Sequence, residues 1–109
     1  MNDFDTTHLS GKAQKFANDI CKMIAKKNKA EPCGGGCKAF YTPDEFRRKG
    51  HRVPDEAILV LCYDGGDLRY YCNWSYADRN TTKKFNALLE KHGLKSENVD
   101  TVIDYVYER

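Results

Sequence analysis

A chain of 109 residues, 40% of them hydrophobic, has enough apolar material for one domain with one core, and not for two. No apolar run approaches the ~18–20 residues of a membrane-spanning helix, and the 31% of charged residues calls for a well-solvated surface. The net charge is only +2, well below that of a dedicated nucleic-acid binder.

The charge is unevenly spread. Between Ser10 and Lys38 seven lysines face only Asp19 and Glu31, giving +5, whereas between Ser96 and Arg109 four acids face only Arg109, giving −3. Such a split predicts an electrostatic polarity and says little about the fold. The first residues, MNDFDTTHLSGKAQ, contain no basic segment leading into an apolar one, so an exported chain is not expected. A cytoplasmic location would keep the five cysteines reduced. The Asn73-Trp74-Ser75 and Asn80-Thr81-Thr82 triplets are then chance matches to the glycosylation pattern.

Residues 1–9 read as a flexible N-terminus, and 10–109 as a single domain. A first helix is expected from about Ser10 to Asn28. Ala13, Phe16, Ala17, Ile20, Met23 and Ile24 recur at helical spacing, with Lys12, Lys15, Lys22, Lys26 and Lys29 on the opposite arc. The stretch EPCGGGCKAFYTPDEFRRKGHR follows. Its glycines mark a joint, and a short helix is expected from Pro43. Thr42 caps it and Glu45 completes a capping box. Phe46 falls on its inner side, Arg47, Arg48 and Lys49 lie near its end, and Gly50 and Pro54 stop it.

Ala57–Ser75 reads as a central antiparallel hairpin, with Gly65-Gly66 as the turn between Asp64 and Asp67. This register puts Leu59, Leu61, Tyr63, Leu68, Tyr70, Cys72 and Trp74 on the core face. The second face, with Ile58, Val60, Cys62, Arg69, Tyr71 and Asn73, is half apolar and invites a cover of its own. A third helix is expected over Thr81–His92, with Phe85, Leu88 and Leu89 inward and Gly93 as its stop. The tail SENVDTVIDYVYER has Val99, Val102, Ile103 and Val106 at helix spacing, yet TVIDYVY is rich in strand-favouring residues. A strand is preferred over a helix, because a lone hairpin needs a third strand. The expected class is α+β, with helices packed on one face of a small sheet.

Several residue groups carry chemistry on this reading. Cys33 and Cys37, with His51 and one of Cys62 or Cys72, make a zinc tetrad of plausible spacing; the competing reading is a connector bearing two ordinary cysteines. Cys33 or Cys37 beside His51 or His8 supplies a nucleophile and a base, but no orienting group completes a catalytic set. Gly34-Gly35-Gly36 can curl into an anion-binding nest, although the pattern is not that of a nucleotide-binding loop. Asp64, Asp67 and Asp78 suit turn formation better than calcium or acid–base work. The lysine stripe and the Arg47–Arg52 cluster can meet phosphates, with tyrosines for stacking. Tyr71, Tyr76, Tyr105 and Tyr107 are too many to bury in one small core, and exposed tyrosines anchor protein interfaces.

No catalytic residue and no obligatory cofactor is expected. The reading adopted is a small non-enzymatic intracellular protein that binds and modulates a larger protein or nucleoprotein. An inhibitor of a bacterial defence nuclease, of the kind phages and mobile elements encode, is one concrete form. Lys12, Lys15, Lys22, Lys26, Arg47, Arg48, Arg52, Tyr71 and Tyr76 form its partner-binding set. Direct nucleic-acid binding, and a thiol, redox or zinc-stabilised protein using Cys33, Cys37 and His51, are the alternatives.

Overall fold

The computed structural model describes residues 5–28, 39–63, 79–100 and 102–109; at 26–28 it describes the backbone alone. The class is α+β, as expected. Along the chain run α1 (Gly11–Asn28), β1 (Phe40–Tyr41), α2 (Pro43–Arg48), β2 (Ala57–Cys62), α3 (Arg79–Lys91), β3 (Leu94–Asp100) and β4 (Ile103–Glu108). The strands form one antiparallel sheet in the order β1-β2-β4-β3.

β2 is AILVLC, apolar on both faces, and such a strand belongs in the middle of a covered sheet. That is where it lies. Leu61 and Val60 face Phe40 and Tyr41 on one flank, and Asp104 and Tyr105 on the other. This corrects the expected pairing of β2 with Leu68–Trp74. Both flanks of β2 are taken by β1 and β4, and Leu68–Trp74 lies outside the described residues. The described hairpin is instead β3–β4, with Leu94 opposite Glu108 and Glu97 opposite Tyr105. The tail was expected to form a single strand, but β3 and β4 divide it into two, and their ladder excludes the helical alternative.

The register of β2 shifts between Ala57 and Leu59. A bulge of this kind interrupts the alternation of sides. Ile58 therefore packs with the first-face cluster rather than beside Val60.

Two clusters cover the two faces. On the first, Leu9, Phe16, Ile20 and Ile24 from the α1 side and Phe85 and Leu89 of α3 meet Leu59, Leu61, Tyr63, Leu94 and Val106. On the second, Phe46 of α2 packs with Tyr41, Val53, Ala57, Val60, Ile103 and Tyr105. The expectation that the helices share one face is corrected: α1 and α3 share it, and α2 covers the other. The half-apolar composition of that second face is the physical reason. The packed unit also starts before residue 10. Leu9 is buried in the core, and His8 Nε2 lies 2.9 Å from Phe40 O.

Local signals set the helix ends. At α2, Glu45 N–H donates to Thr42 Oγ1 at 3.1 Å, and Thr42 N–H donates to Glu45 Oε1 at 2.9 Å, which is the expected capping box. At α3, Gly93 has φ +68, the left-handed conformation that ends a helix without a Cβ clash.

Candidate functional site: the lysine-bearing helical layer

The apolar face of α1 is buried through Ala13, Phe16, Ala17, Ile20 and Ile24, so the geometry of a helix sends the opposite arc into solvent. Lys15 and Lys22 stand on that arc and are exposed, about 10 Å apart along the axis for seven residues of rise. Lys12 is exposed on the flank, where its Nζ approaches Glu108 Oε1 at 4.0 Å. Lys26 lies in the same helix, but its side chain is outside the described set.

α3 lies beside α1 on the same face of the sheet and extends the basic surface. It buries Thr81, Phe85 and Leu89, and exposes Arg79, Lys83, Lys84 and Lys91. Sequence reasoning took α3 as a packing element and did not count these cations. Their signal was present, because Lys83 falls opposite Phe85 on a helical projection. What the sequence could not show was that α3 would settle beside α1.

A three-residue clamp fixes that placement. Asp19 Oδ2 of α1 accepts from His92 Nε2 at 2.7 Å and from Lys91 Nζ at 3.1 Å. Behind it, the Phe16 ring meets the His92 ring edge-on, with centroids 5.8 Å apart. The hydrogen bond from His92, then that from Lys91, holds the Asp19 carboxyl below its ordinary value. Asp19 is therefore engaged with α3 and does not neutralise the outer lysines.

The arginine cluster sits elsewhere. α2 covers the second face of the sheet, so Arg47, Arg48 and Arg52 are not continuous with the lysines of α1. Arg47 serves the fold. Its Nε donates to Val53 O at 3.0 Å, Nη2 to Pro54 O at 2.9 Å and Nη1 to Asp44 Oδ1 at 2.9 Å. These bonds tie the loop after α2 back onto the helix. Arg48 and Arg52 are exposed.

Acidic groups gather at the far end of the β3–β4 hairpin. Glu56, Glu97 and Glu108 line an open groove with Lys95, Ser96 and Tyr107. Tyr107 Oη donates to Glu97 Oε1 at 3.2 Å. The polarity read from the sequence thus takes a definite form, a basic helical layer and an acidic hairpin end. No family model, curated protein or solved structure matches this chain.

The remaining candidates resolve as follows. His51 is exposed but stacks on Phe46, with ring centroids 4.0 Å apart and planes 15° from parallel. Cys33, Cys37, Cys72, Tyr71 and Tyr76 lie outside the described residues. Among the described residues, no group of three His, Cys, Asp or Glu side chains is placed to hold a metal ion. Cys62 is half-buried against the second cluster. Burial pushes the Cys21 thiol up to about 11, far from the range of a reactive thiolate. Tyr105 is buried rather than presented to a partner, and Tyr107 is half-buried.

Proposed function

We propose that this chain is a small non-enzymatic binding protein that modulates a larger partner. It docks through the α1–α3 layer onto an acidic surface of that partner. The observation that carries this reading is the lysine-rich layer on a two-helix support, in which exposed Lys15, Lys22, Lys83 and Lys84 outnumber exposed Glu90, with Lys12 and Lys91 at its margins beside Glu108 and Asp19. Like charges held on a packed scaffold repel one another, and an acidic surface relieves that repulsion while steering the encounter. The partner is read as an intracellular protein or nucleoprotein, and inhibition of a nuclease by a phage-encoded protein is the concrete form we favour.

A nucleic-acid backbone would meet the same lysines. A protein surface is favoured because the acidic hairpin end repels phosphates and the net charge is only +2. Capture from lysate after nuclease treatment tests the reading. Recovery of one protein in a fixed ratio supports it. Recovery of none, with steeply salt-dependent binding to a plain DNA or RNA duplex, replaces it with the nucleic-acid reading.

A further inference from the structure

The described sheet has two outer edges. β1 is only two residues long. β3 runs over seven residues, Leu94–Asp100, and no described strand pairs with its outer side. Alternation decides which of its backbone groups face outward. Arg109 N–H donates to Gly93 O at 2.9 Å, so the carbonyl of Gly93 faces the β4 end, while its N–H donates to Glu90 O at 3.0 Å. In the same register Lys95 and Glu97 bond to β4, whereas Leu94, Ser96 and Asn98 turn their N–H and C=O groups away. Arg109 Nε already donates to Leu94 O at 2.8 Å, and the ladder becomes irregular after Asn98. Ser96 stands between these two features with its backbone directed outward.

Charged residues on an edge ordinarily repel a second strand. This edge carries both signs, with exposed Lys95 and exposed Glu97 on either side of Ser96. In antiparallel self-pairing, directly opposed residues share a face, so the two-fold axis must pass through one residue. An axis at Lys95 sets that lysine against itself, and an axis at Glu97 does the same for the glutamate. With the axis at Ser96, Lys95 faces Glu97 of the second copy, and the reverse pair forms as well. We infer that β3 is a self-association edge, on which two copies pair antiparallel about Ser96 and join their sheets. The opposed Ser96 residues exchange backbone hydrogen bonds. Each Lys95–Glu97 pair takes a non-hydrogen-bonded position, where side chains approach most closely. The contact is short, so the dimer is weak and concentration-dependent. This inference concerns a different part of the molecule from the lysine layer and stands or falls separately from it.

The test is sedimentation equilibrium of the full chain at low salt over a wide concentration range, with circular dichroism as the check on folding. The wild type reaches dimer mass at high concentration. Glu97→Lys makes both cross-strand pairs repulsive and weakens association on the order of tenfold or more. The double variant Lys95→Glu/Glu97→Lys restores it. Ser96→Pro removes only the outward N–H, leaves the β4 ladder intact, and abolishes association. Should a variant fail to fold, the wild type decides alone: added salt must lower its association. A wild type that is monomeric at every concentration, a dimer indifferent to salt, or a folded Glu97→Lys that dimerises like the wild type overturns the inference.

Discussion

Tyr63 Oη donates to Asp104 Oδ1 at 2.9 Å, with both side chains buried on the α1–α3 face of the sheet. Asn98 Nδ2 closes the group from β3, at 2.8 Å from each of those two oxygens. The same amide reaches Asp100 O at 2.7 Å, within the end of β3, and lies 3.3 Å from Ile103 O across the β3–β4 turn. The cluster thus ties the end of β2 to the hairpin. Burial raises the Asp104 carboxyl above its ordinary value, and the opposing pull of the Asn98 and Tyr63 hydrogen bonds is smaller.

A pH dependence follows. An acid whose folded value is raised binds more protons when folded than when unfolded. Its stabilising contribution is fully present below the unfolded value near 3.8 and is lost as pH rises through the raised folded value. Asp104→Asn stays neutral, so it should flatten the fall in stability over that window. Asp104→Ala removes the carboxyl that accepts from the buried Tyr63 hydroxyl and should cost about 1–3 kcal/mol. Urea denaturation of the three proteins at a series of pH values checks both expectations.

The Asp19 clamp predicts the opposite sign. Its carboxyl is held below the ordinary value, so its contribution is present above the unfolded value and is lost as pH falls through the folded one. Asp19→Asn should cost roughly 0.5–1 kcal/mol at neutral pH, the scale of a partly exposed pair. The difference from wild type should vanish in acid. Thermal melts at neutral and acidic pH measure it.

The α2 cap carries a third expectation. Thr42→Ala removes the acceptor for Glu45 N–H and should cost about 1 kcal/mol. Thr42→Ser should retain most of the stability. Phe46→Ala, which empties the second cluster, should cost about 3–5 kcal/mol. Chemical denaturation ranks the three.

Thiol reactivity is the fourth. A Cys21 thiol at about 11 holds several hundred-fold less thiolate at neutral pH than a free thiol near 8.5. Alkylation followed by peptide mass spectrometry should find Cys21 unmodified long after a solvent thiol has reacted.

Some of this was legible in the sequence, and the reasons differ by element. α1 was plain because its apolar and basic arcs separate at helical period. The box at Thr42 and Glu45 was plain because capping is a local signal. β3 was hidden because LKSENVD, at the edge of the described sheet, buries only Leu94, so no apolar alternation marks it. Nothing local marked Asp104 as buried, since its partner Tyr63 lies forty-one residues away. The pairing of β2 was misassigned to the nearest turn because strand partners are chosen by non-local packing. At the candidate site, the outward arc of Lys15 and Lys22 followed from periodicity. The contribution of Lys83 and Lys84 depended on the contact of Asp19 with His92, across seventy-three residues.

The central claim is tested most directly by quantitative capture from nuclease-treated lysate. Wild type is compared with Lys15→Glu/Lys22→Glu, a surface change expected to leave the melting temperature nearly unaltered. One specific protein should be recovered with the wild type and lost with the folded variant. Equal recovery by both, or recovery of no specific protein by either, would contradict the assignment of the helical layer as the docking surface.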